Sequence, residues 1–216
     1  MKNFLLFFCF CGVAFFANAQ SDYKPATEPQ QQEMIQKITE ASEKLNSLRC
    51  DFVQKKTISM LSKEMVSEGQ MYFKQKDKLK WEYTKPTQFE LILNGNQVLT
   101  NSGNTKNAMT TNSSKAFRKL SKIILSMING SGIFDPSMFT AQLMVGTKDN
   151  MVILNPTQKE MQQMFSVIRL RFNKSDYTVN VVEMEEKNGD STRIEMKNKQ
   201  VNIKLNDEIF TITKTQ

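Results

Sequence analysis

The chain has 216 residues, with 29 lysines and arginines against 22 acidic residues, a formal charge of +7, and no histidine. That length suits one domain with a sizeable core, and the missing histidine excludes Ser-His-Asp and Cys-His nucleophiles and most catalytic zinc sites. The positive balance could suit an anionic partner, but the lysines are scattered rather than blocked, so a solvated basic surface is the better reading.

Met1-Lys2-Asn3 is a short positive start, Phe4 to Phe16 an apolar run, and Ala17-Asn18-Ala19 a small-x-small cleavage signature. Together they predict a signal peptide over 1–19, cut before Gln20. The run is shorter than the ~20 residues a spanning helix needs. Cys9 and Cys11 lie inside it, and neither directly follows a small-residue cleavage site, so the mature chain is not expected to be lipidated. Only Cys50 then remains, which leaves no intramolecular disulfide. The expectation is one soluble periplasmic domain over 20–216, and export argues against a nucleic-acid partner.

Ser21 to Gln32, with Pro25, Pro29 and a glutamine run, reads as a flexible lead-in. Met34, Ile35, Ile38, Ala41, Leu45 and Leu48 recur at helical spacing and predict an amphipathic helix from about Gln31 to Ser47. Strand patterns follow over Arg49–Met60 and Glu64–Lys74. Leu79, Trp81 and Tyr83 then alternate with Lys78, Lys80 and Glu82 until Pro86, giving one apolar and one charged face. Gln88–Leu93 and Gln97–Thr100 flank Asn94-Gly95, a strong hairpin signal. A turn at 101–104 leads to a strand over Ala108–Thr111.

A second helix is predicted from a cap at Ser113 or Ser114 to Gly130, with Phe117, Leu120, Ile123, Ile124, Met127 and Ile128 as its stripe. Asp135-Pro136 opens a short helical turn. Strands resume over Ala141–Val145, Met151–Leu154, Val167–Phe172, Thr178–Glu185, Thr192–Met196, Val201–Leu205 and Ile209–Thr213. The pattern is mainly β within an α+β class: an antiparallel sheet curled around helices.

Residues for chemistry are few. Cys50 has Arg49 beside it but no base, and a buried structural thiol is the better reading. Glu185 and Glu186 are adjacent in a strand and point to opposite faces. Gly189-Asp190 is a turn, not a phosphate loop, and no glycine-rich strand-to-helix junction occurs. No enzyme activity, cofactor or metal is expected. The apolar inventory is fuller, with 15 Phe and 14 Met. Methionine adapts to several apolar shapes, so the set would suit an acyl-chain cavity, although any one Met reads better as core filling.

Several stretches resemble the outer-membrane lipoprotein carrier (LolA) family. Leu48–Lys55, with Phe52-Val53-Gln54, resembles the family's first strand and its aromatic-x-Gln core. Ser67–Lys74, with Gly69, resembles the Gly-x-hydrophobic second strand, and Leu79–Pro86 the tryptophan strand that ends near proline. Ile92–Val98 with Asn94-Gly95 resembles the following hairpin, and Asn202–Ile212 the closing segment. The order and spacing of these pieces span nearly the whole mature chain.

The resemblance implies a half-open antiparallel β-barrel of about 10–11 strands with helices forming a lid over an apolar cavity. It implies a monomeric periplasmic carrier that takes lipoprotein acyl chains from an inner-membrane transporter to an outer-membrane acceptor. Expected lining residues are Leu79, Trp81, Tyr83, Phe89 and Leu91 on the sheet, with Phe117, Leu120, Ile124 and Met127 on the helix. One departure stands out. The family's arginine after the second strand, which helps hold the lid shut, is matched here by Gln75 and Lys76, and neither offers a planar fork. A sensor or adaptor that binds a lipidated or envelope protein is the alternative, and a filled barrel that only makes protein contacts is a third.

Overall fold

The computed structural model describes residues 22–61, 63–75, 77–102, 105–110, 125–126, 130 and 132–211. The expected signal peptide, most of the expected second helix and the last residues of the chain lie outside these.

One antiparallel sheet holds β1 (Tyr23–Pro25), β2 (Ser47–Ile58), β3 (Lys63–Lys74), β4 (Lys78–Lys85), β5 (Phe89–Asn94) and β6 (Gln97–Ser102). It continues with β7 (Thr105–Thr110), β8 (Phe139–Gly146), β9 (Asp149–Pro156), β10 (Phe165–Asn173), β11 (Val179–Glu186) and β12 (Ser191–Val201). The order across it is β1-β8-β9-β10-β11-β12-β2-β3-β4-β5-β6-β7, so β1 and β7 form the two edges and the sheet is not closed. Twelve strands is more than the 10–11 that the resemblance implies and one fewer than the thirteen strand patterns read from the sequence, of which Val201–Leu205 and Ile209–Thr213 have no strand of their own among the described residues. The strand without a sequence counterpart is β1, whose three residues pair with Met144–Gly146 and are too few to show an alternation.

Helix α1 runs over Glu28–Lys44 and α2 over Lys159–Met164. The start of α1 corrects the reading of 21–32 as a flexible lead-in. Pro29 stands in the first turn, where its missing N–H costs nothing. Gln30 Oε1 accepts hydrogen bonds from the Thr27 amide (2.9 Å) and hydroxyl (3.1 Å), fixing the entry. The helix also ends earlier than its apolar spacing suggests. Asn202 donates from Nδ2 to the Lys44 carbonyl (2.9 Å) and accepts at Oδ1 from the Asn46 amide (2.7 Å), so a side chain from the far end of the chain caps it.

On the inner face of the sheet, Leu48, Cys50 and Phe52 of β2 join Met71, Phe73, Leu79, Leu93, Val152, Leu154, Ile168, Leu170 and Phe172 in one buried cluster. Met34 and Ile38, one helical turn apart on α1, complete it from above. Asp135-Pro136 opens a single turn, as the sequence suggests: Asp135 Oδ1 accepts from the Ser137 amide (2.9 Å), and the Met138 (2.9 Å) and Phe139 (3.0 Å) amides bond back to the Asp135 carbonyl.

The C-terminal segment corrects a second expectation. No strand forms over 203–211. The chain leaves β12 and makes a 3-10 turn at Asp207–Phe210. Asn206 caps that turn by accepting from the Glu208 amide (3.2 Å). Lys74 (2.6 Å) and Lys78 (3.1 Å) hold the Asp207 carboxylate. Leu205 and Phe210 then pack against Ile92 and Leu99 on the outer face. The apolar alternation here serves to anchor a strap, not to extend the ladder.

Candidate apolar binding site

β4 and β5 present one half-buried apolar wall on the inner face. Trp81 pairs across the strands with Leu91, Tyr83 with Phe89, and Leu79 with Leu93. The five expected sheet residues Leu79, Trp81, Tyr83, Phe89 and Leu91 therefore share one face. They differ in depth: Leu79 is fully buried in the packed cluster, and the other four are partly exposed. Phe117, Leu120, Ile124 and Met127 lie outside the described residues.

The wall is built on a glycine. A Cβ at Gly69 would lie 2.0 Å from the Glu82 carbonyl and 2.6 Å from the Phe52 ring. Without one, Phe52 folds over β3 and reaches β4. Its ring centroid is 4.3 Å from that of Trp81, tilted by 31°, and 5.2 Å from that of Tyr83 in an edge-on contact at 87°. Tyr83 continues the row to Phe89 at 6.0 Å. The Tyr83 hydroxyl donates to Gln54 Oε1 (2.8 Å). Burial pushes that hydroxyl's pKa up, an effect that Trp81 and Gln54 partly offset. The Trp81 indole Nε1 is buried without a hydrogen bond of ordinary geometry, though it sits close enough to the Tyr83 oxygen to favour its ionised form.

Phe52, Gln54 and Gly69 are site residues that sequence reasoning did not select. The signal was present. Leu48, Cys50, Phe52 and Gln54 alternate onto one face, and Phe52-Val53-Gln54 is the aromatic-x-Gln motif.

A depression of about 180 Å³ opens beside Tyr83 and Phe89 at the β4–β5 hairpin, bordered by Glu82, Thr84, Gln88, Glu90 and Asn101. A larger one, about 270 Å³, includes Lys55, Arg169, Glu183 and Arg193. It lies against an ion-pair ladder in which Arg169 meets Glu185 (2.6 Å), Arg171 meets Glu183 (3.0 Å) and Arg193 meets Glu195 (2.7 Å). Charged rows of that kind are a solvated face, not a site for apolar ligands. Cys50 is buried, and burial pushes its thiol up to about 12, which leaves it inert as a nucleophile at neutral pH. Gln75 is exposed, and its amide donates to the Asn46 carbonyl (2.8 Å). Among the described residues no cluster of three or more acidic, cysteine or histidine side chains could hold a metal, and no helix is long and apolar enough to cross a membrane.

The unclosed antiparallel sheet thus leaves a half-buried aromatic wall on its inner face. The family model for the outer membrane lipoprotein carrier protein LolA matches residues 43–213, and the chain belongs to that family. Among solved structures, an uncharacterized conserved protein from Thermus thermophilus has a TM-score of 0.52 at 9% identity, covering 85% of this chain and 94% of that one. MucB has a TM-score of 0.52 at 10% identity, covering 88% of this chain and 65% of MucB. A LolA superfamily protein from Nitrosomonas europaea has a TM-score of 0.44 at 13% identity, covering 84% and 97%. At such identities the likeness is one of fold. No curated protein matches the chain in sequence.

Proposed function

We propose that the protein is exported, loses residues 1–19, and acts in the periplasm as a single-domain carrier for the acyl chains of lipoproteins. The observation that carries this reading is the row Phe52, Trp81, Tyr83 and Phe89, stacked in sequence along one face while the last three stay partly exposed. Burying an acyl chain against such a wall stabilises by roughly 0.8 kcal/mol per methylene, and a wall of flat rings tolerates chains of differing length and position. The segment that includes Phe117, Leu120, Ile124 and Met127 would cover the wall as a lid, closing an apolar cavity that excludes water. Delivery from an inner-membrane transporter to an outer-membrane acceptor then requires only that the acceptor bind more tightly.

Trp81 is the only tryptophan and reports on this wall directly. Adding a diacylated or triacylated peptide should shift its emission to the blue and raise the melting temperature. An unchanged spectrum together with an unchanged melting temperature would overturn the carrier reading. The likeness to MucB favours a second one, an adaptor that holds a protein partner without shuttling, since MucB of Pseudomonas aeruginosa has been solved in complex with MucA. Mass spectrometry of the native protein separates the two: a carrier copurifies with lipid or lipoprotein, an adaptor with one stoichiometric protein.

A further inference from the structure

Where β2 turns into β3, the end of the sheet carries an apolar tip that the core does not use. Met60 is 93% exposed and Leu61 66% exposed on the 3-10 turn Ser59–Leu61. Met65 and Val66 at the start of β3 are each 46% exposed, and Met164 at the end of α2 is 44% exposed. The turn is firmly held. Asp190 Oδ1 accepts from the Ser59 amide (3.0 Å), and the Ser59 hydroxyl lies 3.3 Å from both that oxygen and the Asn188 carbonyl. The Lys187 amide donates to the Met164 carbonyl (3.1 Å), which ties α2 to the same corner. Large side chains on an anchored turn cannot fold inward to escape water, so their exposure is built in.

The charges around the tip are lopsided. Glu64 is offset by Lys55 (3.2 Å) and Glu186 by Lys56 (3.1 Å), while Asp190 caps the turn and keeps its charge, so the balance around the tip is positive by one charge once Lys63 and Lys187 are counted. Lys63 and Lys187 are exposed, and neither makes an ion pair among the described residues. We propose that this tip docks the protein on an anionic phospholipid bilayer. Met60 and Leu61 enter the interface, and Lys63 and Lys187 meet the phosphate groups. A bilayer supplies the two chemistries the tip displays together, an apolar layer under a sheet of negative charge. The surface is separate from the aromatic wall, and the proposal does not depend on acyl binding there.

Flotation with vesicles of phosphatidylcholine, alone or mixed with phosphatidylglycerol, tests it on the protein as the cell accumulates it. The wild type should float with the anionic vesicles, and the Met60→Ser/Leu61→Ser variant should bind them about tenfold less. The Lys63→Gln/Lys187→Gln variant should lose the preference for anionic over neutral vesicles. All share one N-terminus, so a retained leader cannot produce these differences. A Met60→Trp variant gives a positive readout: lipids brominated on their acyl chains should quench its added emission. Failure of the wild type to float, or equal flotation of the serine variant, overturns the proposal. So does a wild-type dimer in sedimentation that the serine variant breaks, since the tip would then be a contact between copies.

Discussion

On the inner face β10 buries Ile168, Leu170 and Phe172 completely, whereas β4 buries Leu79 and leaves Trp81 and Tyr83 partly exposed. Both strands alternate apolar and charged residues, with Arg169 and Arg171 between the apolar positions of one and Lys80 and Glu82 between those of the other. The contrast shows that alternation assigns a face but not a depth. Depth depends on what is laid over the face. Ile38 of α1 and Phe172 both lie against Gly130, whereas the aromatic rings of β4 are overlain by Phe52, which reaches across from β2.

The largest way to break the contrast is at the filled end. Phe172→Ala should cost about 3–5 kcal/mol, read as a lower denaturant midpoint, because its cavity has no room to collapse. Gly69→Ala comes next. The added methyl meets a backbone carbonyl and the Phe52 ring, so a loss of about 1–3 kcal/mol is expected, with a change in Trp81 emission as the ring moves. Trp81→Ala should cost less stability than Phe172→Ala, below about 3 kcal/mol, because a partly exposed ring loses less contact. The same change should weaken binding of an acylated probe in a fluorescence or calorimetric titration more than Phe172→Ala does.

The smallest effect belongs to the outer face. Lys74 and Lys78 hold the Asp207 carboxyl below its ordinary range. Its stabilisation is therefore complete above the unfolded carboxylate pKa and is lost as pH falls through the lower folded value. Asp207→Asn should flatten that part of the stability–pH curve and leave lipopeptide binding unchanged.

That Leu79, Trp81 and Tyr83 share one face with Phe89 and Leu91 was legible because β4 alternates cleanly and Leu79–Pro86 carries the family's tryptophan motif. The β5–β6 hairpin was legible too, although its two-residue loop is Gly95-Asn96, one residue later than the Asn-Gly pair suggests. Gly95 takes a φ of +58 at the first loop position, where a glycine-first turn needs it. Phe52 was not chosen because its reach across β3 depends on the missing side chain of Gly69, its cross-strand partner seventeen residues later. The start of α1 was hidden by Pro29 and the glutamines, which read as a linker until Thr27 and Gln30 are seen closing the first turn. The C-terminal strap was misread because Ile203, Leu205, Ile209 and Phe210 look like strand residues. Only the lysines of β3 and β4, more than a hundred residues earlier, show why the chain turns at Asp207.

That strap also sets the mechanics of the aromatic wall. Leu205 and Phe210 bear on Ile92 and Leu99, directly behind the strand that carries Phe89 and Leu91, and Asn94 Nδ2 donates to the Phe210 carbonyl (3.1 Å). β5 is thus backed along its outer face, which should make it a stiffer plate than an unsupported strand. In the proposed carrier a wide guest would meet a wall backed in this way, so accommodation would come from the torsions of the rings, and the wall should select by thickness more than by length.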